Sequence, residues 1–377
     1  MSAETTTADI SAAEGGADAT TREIWQQPSL WREVSAAAAT DFLAPLLADP
    51  RLRIVLTGAG TSAFAGGLLA PALVRKLRRR VEAVATTDIV SNPADYFAED
   101  LPTLLVSFAR SGDSPESAAA TALADQCLTD VHHLVVTCNA DGRLAREHGV
   151  RERSHVLLMP AASNDRSFAM TSSYTCMVLA AWVALGGDAP VEEMAAAAER
   201  VLANRDADTR ELAARGYQRV VYLGSGPLQS LARESALKLL ELTAGDIVAY
   251  ADSPLGFRHG PKSVLDDRTL AVVYVSDDPY TRRYDEDIAL ELRAALGADH
   301  VRVVAGAPSE RLGDEGVWYV DGVSGESDVV LSLPFVVVAQ QLALRFSLAL
   351  GHTPDNPFPS GEVNRVVQGV TIYDRAQ

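Results

Sequence analysis

The stretch from Glu234 to Lys262 reads ESALKLLELTAGDIVAYADSPLGFRHGPK and gathers three kinds of proton-handling group. Glu234, Lys238 and Glu241 stand four and three residues apart, which places them on one face of a helix. A turn-rich loop follows and delivers Phe257-Arg258-His259-Gly260-Pro261. A carboxylate, an ammonium and an imidazole can together move a proton between neighbouring carbons of a carbonyl compound near neutral pH. Glu241, beside Lys238 and ahead of the loop, is the candidate catalytic carboxylate, and His259 is the candidate imidazole. Glu234 is read as a surface partner of Lys238, a pairing worth about 0.2–0.5 kcal/mol. His132, His133, His148, His155, His300 and His352 fall at element edges or tails and are read as structural.

Two turns have the chemistry of an anion cradle. Gly58-Ala59-Gly60-Thr61-Ser62 closes an apolar strand and opens a helix. Gly60 lets the backbone approach a ligand, and the hydroxyls of Thr61 and Ser62 add donors. Ser111-Gly112-Asp113-Ser114-Pro115 closes the next strand, with Ser114 suited to an N-cap and Pro115 to the first helical position. A third polar loop, Ser163 to Ser167, reads either as added substrate contacts or as an ordinary helix start. The turns lack the full G-x-G-x-x-G of a dinucleotide site and the lysine of a P-loop. The corresponding place later in the chain keeps Gly224-Ser225-Gly226 but offers Asp277-Asp278 in place of Ser111. Carboxylates repel phosphate, so one complete phosphate site, in the first half, is expected.

The elements that must position these groups occur twice. Arg53 to Leu73 is a buried strand, a Gly-x-Gly turn and a helix, and Arg219 to Leu239 repeats that grammar 166 residues later. Further strands match at nearly the same offset: Thr103 to Ser114 with Thr269 to Tyr280, and His132 to Gly142 with His300 to Glu310. A constant offset through several elements signals duplication. Strands alternating with helices predict α/β domains with parallel sheets, whose ligands sit beyond the carboxyl ends of the strands. The expected map is a disordered tail over 1–20 and a helical segment over 21–48. Domains at 49–190 and 205–351 and a C-terminal tail over 352–377 follow.

Length and composition fit this map. The 377 residues are 47% hydrophobic and 22% charged, with a net charge of −17, which favours two globular domains over a disordered or basic chain. The acidic balance argues against nucleic acid and membrane surfaces, and the run Arg75 to Arg80 reads as a solvated helix end. Cys127, Cys138 and Cys176 lack metal-ligand spacing and read as reduced residues of a cytoplasmic protein. No metal and no cofactor is expected. The N-terminus has no signal-peptide pattern. The apolar run Pro334 to Leu350 holds Gln340, Gln341 and Arg345 and is read as too short and too polar to span a bilayer.

At these residues the chain resembles a tandem sugar isomerase (SIS) domain protein. SFARSGDSPES and GAGTS resemble that family's phosphate loops, and ALKLLE followed by RHGP resembles the catalytic segment of the isomerase half of glutamine–fructose-6-phosphate amidotransferases. TTREIWQQPSLW, SNDRSFAMTSSYT, SPLGFRHGPKS and NPFPSGEVNRVVQGV are similar to signatures of the AgaS-type ketose/aldose isomerase and amino-sugar-phosphate deaminase group. The resemblance implies two SIS domains, each an α/β/α sandwich around a five-stranded parallel sheet. It implies a phosphorylated amino sugar as substrate, with galactosamine 6-phosphate converted to tagatose 6-phosphate and ammonia. Glu241 would shuttle a proton between C1 and C2, His259 would assist ring opening, and Lys238 would support the intermediate electrostatically. Thr61, Ser62, Arg110, Ser111 and Ser114 would hold the phosphate, and Gly60, Ser167, Arg258 and Gln368 would add contacts. A homodimer or larger assembly is implied, in which His259 can come from a neighbouring subunit. The amidotransferases carry a lysine near their C-terminus, whereas nothing after Lys262 is lysine here and Gln368 stands nearest. No imine to such a lysine is therefore expected, and glutamine is not the expected ammonia source. Simple aldose–ketose isomerisation, deglycation and non-catalytic sugar-phosphate sensing remain as alternatives.

Overall fold

A computed structural model of the chain describes residues 15–35, 39–367 and 369–375. They form two compact units. One takes in Glu33–Asp165, Ser172–Asp188 and the described chain from Ser360 onward. The other takes in the described chain up to Arg32, the short segment Arg166–Thr171, and Ala189–Pro359. The sequence map of two contiguous domains thus differs from the structure, in which each unit borrows a distant segment. In the first unit Arg110 Nη2 donates to the carbonyl of Arg365 at 3.1 Å, and Arg365 donates to the carbonyl of Asp165. Those bonds tie the C-terminal segment down.

The first unit is built on β1 (Arg53–Thr57), β2 (Val81–Ala83), β3 (Thr103–Ala109), β4 (Val131–Thr137) and β5 (Ser154–Leu158). All neighbours are parallel, in the order β2-β1-β3-β4-β5. β1 and β3 are buried along their whole length, as their unbroken apolar runs require of central parallel strands. The second unit is built on β6 (Arg219–Leu223), β7 (Val248–Asp252), β8 (Thr269–Val275), β9 (Val301–Ala305) and β10 (Val317–Tyr319). Its strands are also parallel, in the order β10-β9-β8-β6-β7. Counted from its own first strand, that order is the same as in the first unit. Each sheet therefore has its topological switch point between its first and third strands, where ligand crevices form.

Layering is clearest in the second unit. Val221, Leu223, Val273 and Val275 point from one face of the sheet onto Ile288 and Leu292 of the helix Thr281–Leu296. Their neighbours point the other way. There the Tyr274 hydroxyl bonds Ser235 of the helix Pro227–Leu242 at 2.7 Å, and its ring stacks on Phe335 of the helix Asp328–Ala349.

That last helix corrects the sequence reading. It has 22 residues, six starting before Pro334, and is long and apolar enough to cross a membrane by length and composition alone. Its apolar stretch is wholly buried inside the protein. The polar residues serve as ties to packing partners. Gln340 accepts from Gln27 Nε2 at 2.7 Å, Gln341 donates to the Leu202 carbonyl at 3.2 Å, and Arg345 Nε donates to Asp206 at 2.8 Å.

The N-terminal boundary also differs. A helix begins at Asp18, within the stretch read as tail. No side chain beside it caps it; Asp355 does so from the far end of the unit, accepting from the N–H groups of Ala19 and Thr20 and from the Thr20 hydroxyl at 2.7–3.0 Å. One turn later Glu23 accepts from the N–H groups of Arg166 and Ser167 and from the Ser167 hydroxyl. Phe358 packs on Phe168 at 5.0 Å. Parts of three signature motifs that are remote in sequence thus meet in one unit.

Candidate active site

The two glycine turns open their helices in the same conformation. Gly60 has φ 54° and ψ −126°, and Gly226 has φ 55° and ψ −125°, a backbone shape that L-residues rarely adopt. Gly58 is needed for a second reason: a Cβ there would stand 2.6 Å from Ser62. Thr61 and Ser62 are buried at the first turn of the helix Thr61–Leu77, and among the described residues the Ser62 hydroxyl has no bonding partner.

The Ser111 loop lies across the switch point from this turn, at the end of β3. Asn139 Nδ2 donates to the Ser111 carbonyl at 3.0 Å, and the Ser111 hydroxyl accepts from the Asp113 N–H at 3.3 Å. Ser114 takes the N-cap position and Pro115 the first turn of the helix Pro115–Cys127, as expected. The Ser114 hydroxyl does not cap backbone, however; it bonds Ser117 Oγ at 2.6 Å. Hydroxyls and helix N–H groups are thus grouped as an anion site requires. The buried Arg110 guanidinium at the same loop supplies a cation.

In the second unit the same place is already filled by a carboxylate. Asp285 accepts from the Ser225 hydroxyl and from the Ser276 N–H, the latter at 3.0 Å. Burial pushes its carboxyl up to about 7, against the opposing pull of those two hydrogen bonds. Asp277 is occupied as well, by Arg282 at 2.9 Å and the Gly325 N–H at 2.8 Å. The acidic residues at this switch point are therefore structural ligands of their own turns.

Glu234, Lys238 and Glu241 share one face of the helix Pro227–Leu242. Lys238 is fully buried; it donates to the Glu241 carboxylate and lies 3.5 Å from Glu234. Glu234 is fully buried too, so the sequence reading of a surface pair is wrong for it. The helix Pro227–Leu242 packs against the helix Asp328–Ala349 as well as against the sheet. Glu241 is 23% exposed and is the member of the triad that solvent reaches. Lys238 is thus closed off from solvent behind Glu241.

His259 reaches its place by a different route. After β7, Ser253 caps a short helix by accepting from the Gly256 N–H at 3.0 Å, and Phe257 is buried in the core. Arg258 Nε donates to Glu291 at 2.7 Å, and Lys262 donates to the same carboxylate. Arg258, expected as a substrate contact, is thus engaged in anchoring the loop. Between these anchors His259 is exposed, and among the described residues its imidazole has no hydrogen-bonding partner.

The structure does not bring Glu241 and His259 together in one chain. The helix Pro227–Leu242 runs back along the sheet, so Glu241 in its last turn lies near the start of β7. His259 follows the end of β7. Five strand residues span about 17 Å. Ser167 is buried and held by Glu23, and Gln368 lies outside the described residues. Sequence reasoning missed Glu23, Asp285 and Asp355; each lies in a helix or tail with no neighbouring partner to signal it. Among the described residues no group of three or more His, Cys, Asp or Glu could hold a metal ion.

Residues 46–186 match the SIS domain family. The chain is 62% identical over 367 residues to an AgaS protein of Streptomyces coelicolor, covering 94% of this chain and 95% of that one. The chain belongs to the AgaS family of SIS-domain proteins. A D-galactosamine-6-phosphate deaminase AgaS of Shewanella sp. is 46% identical, covering 95% of this chain and 92% of that protein. The crystal structure of the tagatose-6-phosphate ketose/aldose isomerase from Escherichia coli superposes with a TM-score of 0.86 at 42% identity, over 94% of this chain and 96% of the other. Full-length membership in the AgaS family agrees with the resemblance carried by the RHGP and NPFP motifs.

Proposed function

We propose that this chain is an amino-sugar-6-phosphate deaminase/isomerase that converts galactosamine 6-phosphate to tagatose 6-phosphate and ammonia. The full-length relation to a protein named D-galactosamine-6-phosphate deaminase carries the reading. In support, Glu241 is an accessible carboxylate fixed by a buried ammonium.

The reaction follows from the groups. The phosphate is held by Ser62, Ser111 and Ser114, with Thr61 and Arg110 beside them. His259 assists opening of the sugar ring by handling protons at the ring oxygen and O1. Glu241 takes the proton from C2 of the open-chain amino aldehyde; the electron pair moves into the C1–C2 bond, and an enolamine forms. Glu241 returns the proton to C1, giving a ketose imine. Water adds at C2, the C2–N bond breaks, and ammonia leaves with the ketose phosphate behind. The Lys238 ammonium holds the Glu241 carboxylate in place as a base, and its field steadies negative charge as it develops.

Because Glu241 and His259 belong to opposite ends of β7, a site using both takes His259 from a second copy of the chain. A homodimer or larger assembly is part of this reading, in a cytoplasmic setting that suits three cysteines without disulfides. Simple aldose–ketose isomerisation uses the same proton shuttle without the amine, and the name of the Escherichia coli structure favours it as the second reading. The test is a panel of galactosamine, glucosamine, galactose and glucose 6-phosphates, with ammonia and ketose measured separately. Ammonia from galactosamine 6-phosphate is expected. Ketose from the hexose phosphates with no ammonia from either amine would favour the isomerase, and binding without turnover would favour a sensor.

A further inference from the structure

The end of the first sheet away from the phosphate turns holds His132, His133, His148 and His155, four of the chain's seven histidines. His133 and His148 are buried, with ring centroids 4.7 Å apart. His133 Nε2 lies 2.8 Å from Asp125, and His148 Nδ1 lies 3.0 Å from the Ser154 hydroxyl. Their remaining ring nitrogens, His133 Nδ1 and His148 Nε2, are buried without a hydrogen-bond partner. A proton added there would meet a second ring and no acceptor.

The surrounding charges do not relieve this. Asp125, from the helix Pro115–Cys127, is shared between His133 and Arg151, the latter at 3.0 Å. Glu147, beside His148 on its own helix, is engaged by Arg143 at 2.7 Å. His132 faces Asp130, which also binds Arg153. The end of a helix ordinarily favours a protonated histidine. Here burial, then His133 and Arg151, outweigh that preference and hold His148 down to about 4.

His148 is the last residue of the helix Arg143–His148, and the first turn of that helix backs the Ser111 loop. The Arg143 N–H donates to Asp113 at 2.9 Å, and the Leu144 N–H donates to the Gly112 carbonyl at 3.0 Å. Gly142 sits so close that a Cβ would lie 2.2 Å from the Ser111 carbonyl oxygen. A rod about 9 Å long therefore joins the imidazole pair to the loop.

We propose that the His133–His148 pair is a pH-sensitive latch on the phosphate loop: in mild acid an opened form takes up a proton, the helix Arg143–His148 loosens, and Ser111–Ser114 loses its backing and its hold on an anion. The link to function rests on the phosphate-loop reading; the latch itself does not. The closed form resists the proton while an opened form carries an ordinary histidine. The opened population therefore rises up to about tenfold per pH unit below about 6.5.

The test compares the full-length wild type with His148→Phe, which keeps a ring against His133 but takes no proton, and with His148→Gln as a second fold-compatible variant. Hydrogen exchange at Gly112–Ser114 and Leu144 is followed without ligand at pH 7.5 and 5.5, corrected for intrinsic exchange. KM for galactosamine 6-phosphate is measured at the same two pH values and taken as the wild-type to variant ratio, which cancels titration of the phosphate itself. We expect wild-type protection to fall several-fold to about tenfold further than in either variant, and the KM ratio to rise several-fold in acid. Equal pH dependence of exchange in all three proteins would overturn the latch. A differing exchange with a level KM ratio would overturn its action on the site. Should galactosamine 6-phosphate not be turned over, the exchange comparison still decides the latch, so its failure is separable from that of the proposed function.

Discussion

Glu241 and His259 flank β7 from opposite ends, the first just before the strand begins and the second in the loop after it ends. The proposed reaction uses both, yet one copy of the unit holds them at opposite ends of a five-residue strand. The proposed function resolves this by sharing sites between copies. Co-expressed Glu241→Gln and His259→Ala chains are expected to regain about a quarter to a half of wild-type kcat in mixed dimers, while each variant alone stays at least about 100-fold down. Failure of the mixture to exceed the separate variants, with mixed assemblies demonstrated by mass, would contradict the sharing of residues.

The Glu234–Lys238 pair is buried and internally compensated. Lys238→Met strands a buried carboxylate and should cost about 3–5 kcal/mol in urea unfolding. Adding Glu234→Gln removes the stranded charge, so the double variant should recover at least half of that loss. Additive losses would show that the two side chains do not depend on each other.

Asp285 gives the second unit a signed pH dependence. Its folded value, raised by burial to about 7 from the ordinary 3.8, means that the unfolded chain releases this proton first as pH rises. Its contribution is therefore fully present below about pH 4 and is lost progressively up to about pH 7, by roughly 4 kcal/mol at most. Asp285→Asn mimics the protonated acid toward Ser225 and Ser276. The variant should gain stability over wild type between pH 5 and 8, read from urea midpoints. Parallel pH slopes would show that Asp285 is ionised throughout.

Asp355 caps a helix more than 300 residues away in the chain. Asp355→Ala should cost about 1–2 kcal/mol and raise hydrogen exchange at Ala19 and Thr20. Unchanged exchange there would show that the cap carries no weight.

The sequence revealed the local grammar well. RIVLTG and RVVYLG announced buried parallel strands, and the glycines after them fell where left-handed or otherwise unusual backbone is needed. The placing of Ser62 and Ser111 just beyond the carboxyl ends of two strands followed from the strand–helix alternation. What it could not reveal depends on the third dimension. Burial of Glu234 comes from tertiary packing that its local spacing does not signal, and the engagement of Arg258 follows from Glu291 on another helix. The direction in which the helix Pro227–Leu242 runs separates Glu241 from His259, although only a short loop-and-strand segment divides them in sequence. Spacing marks such residues as candidates; only the course of the backbone decides which of them meet.

In the proposed function Glu241 drives release of ammonia from an amino sugar phosphate. The direct test follows ammonia and tagatose 6-phosphate together from galactosamine 6-phosphate, with wild type and Glu241→Gln in parallel. Equal amounts of both products from the wild type are predicted, with kcat reduced about 10²–10⁴-fold and KM little changed in the variant. Undiminished ammonia release by Glu241→Gln, or none from the wild type, would contradict the account.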